Sequence, residues 1–130
     1  MTGKLTGKSA VITGATRGFG RALANSFGLE QAKLVIASRS ADSIEETLNE
    51  LNAAGIQAIG MPCDVAQLDQ VHTLANLAID NYGSFDIWIN NAGLSAPYGP
   101  SVHIQPEAFQ EVINTNISGV YNGSIQLYIC

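Results

Sequence analysis

The sequence of 130 residues, with 46% hydrophobic and 13% charged side chains, is long enough for one domain with a buried core. It has no apolar run of about 18 residues and starts with no signal peptide, so no membrane association is expected and the predicted location is cytoplasmic. The net charge of −5 argues against nucleic-acid binding, because neutralised phosphates supply most of that affinity.

Short apolar runs alternate with helical patterns along the chain. The runs cover residues 9–13, 33–37, 57–61 and 85–89, and apolar residues at helical spacing follow each run, in residues 17–27, 44–51, 68–78 and 109–117. This alternation predicts an α/β fold, a doubly wound parallel sheet with helices on both faces. Right-handed crossovers favour the strand order 3-2-1-4, with a ligand crevice at the carboxyl ends of strands 1 and 4.

A glycine-rich loop, Thr13-Gly14-Ala15-Thr16-Arg17-Gly18-Phe19-Gly20, follows the first run and opens a helix. Glycine allows a tight turn and close approach of the backbone to a pyrophosphate, and the helix behind it offers free N–H groups. All six cations lie in the first 39 residues, which suits a small anionic ligand near this loop. A plain tight turn and a chance distribution of charge are the alternatives.

The spacing G-x-x-x-G-x-G resembles the short-chain dehydrogenase/reductase family, whose pattern T-G-x-x-x-G-[IF]-G is matched by residues 13–20. Three more motifs of that family follow in order: Cys63-Asp64-Val65, Asn90-Asn91-Ala92-Gly93 and Asn116-Ile117-Ser118-Gly119. The resemblance spans residues 5–124. It implies a Rossmann-type fold and an oxidoreductase that transfers hydride between NAD(P) and a small-molecule carbonyl or secondary alcohol.

The resemblance also implies roles for individual residues. Asp64 would bond the adenine with Val65 beside the ring, although Asp64 could instead cap a helix. Thr13 and Asn90 would tie strand 1 to strand 4. Asn116, the one catalytic candidate, would interrupt a helix and hold a water of the proton relay; an exposed polar face is the alternative. The predicted cofactor-binding residues are Gly14, Thr16, Arg17, Gly18, Phe19, Gly20, Ser38, Arg39, Asp64, Val65, Asn91, Ala92 and Gly93.

The end of the second run predicts the preferred cofactor. Family members that prefer NAD place an acid there, but this chain has Ser38 followed by Arg39. Arg39 and Arg17 could pair with the 2′-phosphate of NADP(H), so NADP(H) is the predicted cofactor, with NAD(H) possible. A solvated Arg39 is the alternative.

The catalytic tyrosine and lysine of the family, spaced Y-x-x-x-K, are missing, since the last lysine is Lys33. Residues 1–130 are therefore expected to be the incomplete N-terminal, NAD(P)-binding half of a homodimeric or homotetrameric parent, inactive alone. A non-catalytic nucleotide-binding module or interaction partner is the alternative function. No metal site is predicted from the spacing of Cys63 and Cys130, and His72 and His103 are expected to be exposed.

Overall fold

Strands and helices alternate from residue 9 to residue 89, as the sequence predicts. The computed structural model describes residues 3–128. Its elements are β1 (Ser9–Thr13), α1 (Gly18–Leu29), β2 (Lys33–Ser38), α2 (Ala41–Ala53), β3 (Ala58–Pro62), α3 (Leu68–Tyr82), β4 (Ile87–Ile89), a 3₁₀ turn (Ser101–His103), α4 (Pro106–Ile113), a π-helical segment (Asn114–Ser118), α5 (Gly119–Ser124) and a 3₁₀ turn (Ile125–Tyr128).

The four strands form one parallel sheet in the order β3-β2-β1-β4, which confirms the predicted order. The central strand β1 pairs with β2 along its whole length and with β4 from Ala10–Ile87 to Ile12–Ile89. In the sheet, β2 and β3 lie on one side of β1, and β4 lies on its other side. The carboxyl ends of β1 and β4 therefore flank a crevice of the kind in which open α/β sheets bind ligands.

The fourth strand begins at Ile87, two residues later than predicted, and β3 is displaced by one residue to 58–62. Asp86 explains the late start of β4. Its carboxylate Oδ2 accepts the backbone N–H of Ser9 at 2.9 Å, and its own N–H donates to the Ser9 carbonyl at 2.9 Å. Phe85 is buried against Trp88, with ring centroids 5.2 Å apart, so its apolar character serves packing beside the strand.

The two faces of the sheet carry separate apolar cores because successive strand residues point to opposite sides. On one face, Ile12 and Ile36 pack in a cluster with Leu51 of α2. On the other face, Val11 packs in a cluster with Leu74 of α3. Burying a side chain of this size stabilises a fold by roughly 1.5–3 kcal/mol. These two cores fix the strand ends from which the candidate site is built.

The helical pattern over residues 109–117 does not form one continuous α-helix. The α4 helix ends at Ile113, a π-helical segment covers Asn114–Ser118, and α5 follows. The π-helical segment confirms the helix distortion predicted at Asn116. Its Asn, Thr and Ser residues have poor helix propensity. The same region exposes large apolar side chains, including Phe109, Ile117 and Tyr121. Within residues 3–128, no helix has the length and apolar character needed to cross a membrane.

Candidate functional site

The loop between β1 and α1 leaves the start of a helix open. Gly18, the first residue of α1, has a φ of +57°, and a Cβ placed there would meet no atom within 4 Å. Arg17, which precedes the helix, provides no side-chain cap, and the first turn contains no acid. The N–H groups of this turn can therefore bind an anion, which the positive end of the helix dipole also favours.

A set of hydrogen bonds joins this loop to the segment after β4. The Thr13 hydroxyl donates to the Ile89 carbonyl at 3.3 Å and accepts the backbone N–H groups of Asn91 and Ala92, both at 3.0 Å. The Asn91 side chain donates to the Gly14 carbonyl at 3.0 Å. Thr13 thus ties β1 to the segment beyond β4, as expected from the family resemblance.

Asn90 has a different role from the one expected. Its Oδ1 accepts the indole N–H of Trp88 at 3.0 Å, and its Nδ2 donates to the hydroxyl of Ser124 at 3.2 Å. A side chain on Gly123 would collide with Oδ1 of Asn90, so α5 lies directly against this group. Asn90 therefore ties β4 to α5, and the expected tie to β1 is made by Asn91 instead.

A cavity of about 430 Å³ opens at the carboxyl ends of the strands, between the glycine loop, the end of β2 and the segment after β4. This volume lies within the range of ligand pockets, about 300–1,000 Å³. Most of the predicted cofactor-binding residues line it. They are Gly14, Thr16, Arg17, Gly18, Ser38, Arg39, Asp64, Val65, Asn91, Ala92 and Gly93.

Two predicted cofactor residues lie outside the cavity lining. Phe19 is on α1 and is 72% exposed. Gly20 is buried behind the loop, where a Cβ would collide with the carbonyl oxygen of Gly14. Gly20 thus permits α1 to pack against the loop rather than approaching a ligand itself.

The lining also includes residues that were not among the predicted cofactor-binding residues: Ser40, Ser43, Cys63, Leu94 and Thr115. The role of Ser40 could have been predicted from the sequence, because a serine immediately before an apolar helical pattern predicts an N-cap. Its hydroxyl accepts the N–H of Ser43 at 3.2 Å, and Ser38 Oγ accepts the N–H of Ser40 at 3.2 Å. These bonds fix the turn from β2 into α2 at the rim of the cavity.

Two arginines contribute positive charge at this rim. Arg39 Nη1 lies 3.3 Å from Oε1 of Glu111 on α4, and both side chains are at least half exposed. No carboxylate within residues 3–128 pairs with Arg17. Arg21, by contrast, pairs with Glu50 at 2.8 Å and does not line the cavity. Arg17 and Arg39 are thus the cations that can reach an anion here.

Asp64 shapes the turn after β3 and does not cap α3, which begins at Leu68. Its Oδ1 accepts the N–H of Ala66 at 3.0 Å, an Asx-turn. The neighbouring Cys63 is buried, and burial together with the charges of Asp64 and Asp69 raises the pKa of its thiol to about 11. The thiol is therefore protonated at neutral pH and is a poor nucleophile, since the thiolate is the reactive form.

Asn116 lies in the π-helical segment, and both the oxygen and the nitrogen of its side-chain amide bond the loop after β4. Oδ1 accepts the N–H of Leu94 at 2.8 Å, and Nδ2 donates to the Leu94 carbonyl at 2.7 Å. Asn116 is not among the residues that line the cavity, whereas Leu94 is. The side chain of Asn116 therefore positions one wall of the cavity.

The two histidines lie away from the cavity lining. His103 is exposed, as expected, but the expected exposure of His72 is wrong. His72 is half-buried, with Nδ1 3.0 Å from Oε1 of the fully buried Gln126. No group of three or more potential metal ligands occurs within residues 3–128.

Comparisons with known proteins agree on one family. A family model described as short chain dehydrogenase matches residues 8–128. The curated protein "Probable chlorophyll(ide) b reductase NYC1, chloroplastic" of Oryza sativa subsp. japonica is 39% identical over 129 residues. That match covers 86% of this chain and 26% of the rice protein.

Two solved structures extend the similarity to the whole fold. A short chain dehydrogenase/reductase from Burkholderia phymatum in complex with NAD superposes with a TM-score of 0.90 at 35% identity, covering 97% of this chain and 44% of that one. A metagenomic short-chain oxidoreductase in complex with NADP gives a TM-score of 0.84 at 31% identity, covering 91% and 53%. The chain therefore spans between 26% and 53% of the length of these relatives.

Proposed function

Because the chain belongs to the short-chain dehydrogenase family, we propose that it is the cofactor-binding half of an NADP(H)-dependent oxidoreductase. The observation that carries this proposal is the cavity at the crevice between β1 and β4, which joins an open helix N-terminus to two arginines. Such a cavity suits a ligand with a pyrophosphate and a further anionic group.

The cavity residues fit the parts of a dinucleotide. Gly18 and the first turn of α1 would bind the pyrophosphate, since no side chain covers these N–H groups. Asp64 would accept from the adenine, and Asn91 and Gly93 would lie beside the ribose and the nicotinamide. The Thr13 bonds hold this last segment against β1 and so keep the two ends of the cavity at a fixed separation.

NADP(H) is the proposed cofactor because no acid ends β2. Ser38 is the last residue of that strand and Arg39 follows it. An acid there would repel a 2′-phosphate, whereas a guanidinium can form charge-assisted hydrogen bonds with it, each contributing about 1.5–3 kcal/mol. The similar solved structures hold NAD in one case and NADP in the other, so both cofactors are found in proteins of this fold.

The proposed reaction is hydride transfer to or from a small carbonyl or secondary alcohol, and the bound nicotinamide would supply the hydride. Asn116 would hold the Leu94 wall beside the reacting end of the cavity. A proton donor is also required, and no lysine follows Lys33 that could lower the pKa of a tyrosine. We therefore propose that the proton donor and most of the substrate pocket lie in a longer parent protein. Separately, we propose that this parent is cytoplasmic and homodimeric or homotetrameric.

Titration of the parent protein with reduced cofactors tests the proposal. NADPH fluorescence should rise on binding and saturate at low concentration, and NADH should bind at least tenfold more weakly, about 1.4 kcal/mol in binding free energy. Equal affinity, or tighter binding of NADH, would show that Arg39 does not bind the 2′-phosphate. If neither NADPH nor NADH binds, the proposed function itself is wrong.

A further inference from the structure

A second cavity, of about 390 Å³, adjoins the first and shares Arg39, Asp64 and Thr115 with it. Its remaining lining comes from the turn after β3, from Asn114 of the π-helical segment and from α4, which contributes two carboxylates, Glu107 and Glu111. Arg39 therefore lies between the proposed cofactor cavity on one side and an acidic helix face on the other.

Only one of these carboxylates reaches Arg39 within residues 3–128. Glu111 Oε1 is 3.3 Å from Nη1 of Arg39, across 72 positions of sequence. The Arg39 side chain is 51% exposed and that of Glu111 is 61% exposed. Water therefore competes for both groups, and the ion pair is weak enough for another anion to replace Glu111. A guanidinium presents five N–H donors, so an incoming phosphate can share Arg39 or displace Glu111.

The consequence of this contact differs between the two cofactors. A 2′-phosphate bound to Arg39 would carry close to two negative charges beside the carboxylate of Glu111, and like charges at short range repel. NAD(H) has a neutral hydroxyl at that position and is not repelled. Resting on the proposed binding of NADP(H), we propose that Glu111 is a specificity-determining residue that acts through Arg39 and weakens the preference for the 2′-phosphate.

The substitution Glu111→Gln in the parent protein tests this inference, with Glu107→Gln as the matched control. Glu107 lies one turn earlier on α4 and lines the same second cavity, but it forms no ion pair with Arg39 within the described residues. Glu111→Gln should tighten NADPH binding about two- to fivefold, the range expected for an exposed ion pair. It should leave NADH binding within twofold of the wild type, and Glu107→Gln should change neither affinity.

The outcomes separate the inference from the function on which it rests. If the wild type binds NADPH but Glu111→Gln leaves its affinity unchanged, weakens it, or tightens NADPH and NADH equally, the inference is wrong and the function stands. The same conclusion follows if Glu107→Gln reproduces the full effect, because total charge on α4 would then be responsible. If the wild type binds neither nucleotide, both the function and the inference are wrong.

Discussion

Arg39 is the residue on which the proposed cofactor preference depends most. It follows the last residue of β2, lines the cavity and is half exposed. Replacing it with aspartate removes the charge-assisted hydrogen bonds to a 2′-phosphate and adds repulsion, while giving the hydroxyl of NAD(H) an acceptor. Arg39→Asp in the parent protein should weaken NADPH binding about 10- to 100-fold, from roughly 1.5–3 kcal/mol of lost interaction, and narrow or reverse the preference.

The matched control is Arg21→Asp, which makes the same change of charge at an arginine that pairs with Glu50 and does not line the cavity. We expect this variant to keep the wild-type ratio of NADPH to NADH affinity. An unchanged ratio in Arg39→Asp, measured by fluorescence titration, would contradict the role assigned to Arg39.

Gly18 offers a second test at the scale of one residue. Its backbone is left-handed, and no atom lies within 4 Å of a Cβ placed there. Gly18→Val should abolish nucleotide binding because the side chain would occupy the space proposed for the pyrophosphate. Calorimetry or fluorescence titration would measure this loss, and circular dichroism should retain the helical signal.

Gly55 provides the control for backbone strain. It also has a left-handed φ, +79°, with open space around a Cβ, and it lies after α2, outside both cavity linings. Gly18→Val and Gly55→Val should each lose about 1–2 kcal/mol in the free energy of unfolding. Only the first should lose nucleotide binding; a folded Gly18→Val protein that still binds nucleotide would refute the assignment of the loop.

Among the elements, the parallel sheet was the most predictable from sequence. Its strands are short apolar runs separated by helical patterns, and the right-handed crossover rule leaves few ways to arrange them. The boundaries were less predictable because tertiary bonds set them. β4 starts late since Asp86 bonds Ser9, a contact between residues 77 positions apart that no local pattern reveals.

The candidate site was likewise only partly predictable from the sequence. The glycine loop and the motifs at Asp64 and Asn91 were readable because each follows a strand and so lies at the same edge of the sheet. The pairing of Arg39 with Glu111 and the bond of Asn90 to Ser124 were not, since each joins elements distant in sequence. Phe19 was included through its place in a sequence pattern, yet its side chain lies outside the cavity lining.

The π-helical segment supports a prediction at the scale of the element. Asn116→Ala removes both hydrogen bonds to Leu94 and should destabilise the segment after β4, by about 0.5–1.5 kcal/mol for each bond. Hydrogen exchange at the Leu94 amide should become faster. Asn114→Ala is the control, because among the described residues the Asn114 side chain bonds only Gln110 of the preceding helix α4. Unchanged exchange at Leu94 in Asn116→Ala would show that the wall is held by other contacts.

For the whole molecule, the unpaired edge of β4 and the exposed apolar side chains predict that residues 1–130 expressed alone are unstable and prone to aggregation. No described strand pairs with β4 on the side away from β1, and Phe109, Ile117 and Tyr121 are each more than half exposed. Open strand edges beside apolar surface promote aggregation, and a domain has only about 5–15 kcal/mol of stability.

We therefore expect aggregation or a molten state, weak NADP binding and no turnover of carbonyl substrates by this chain. Size-exclusion chromatography, thermal unfolding and a reductase assay measure these properties. A monodisperse monomer with a sharp thermal transition and measurable reductase activity would contradict both the stability and the activity parts of this prediction.

NADP(H) is proposed to bind across the carboxyl ends of all four strands, β1 to β4. Hydrogen–deuterium exchange of the parent protein, with and without NADP⁺, tests this central claim most directly. Binding should slow exchange in peptides that contain residues 14–20, 38–43 and 64–66, and leave exchange at the exposed end of α2 around Gly55 unchanged. Saturating NADP⁺ that leaves residues 14–20 and 38–43 unprotected, or protects only segments outside the cavity, would contradict the claim.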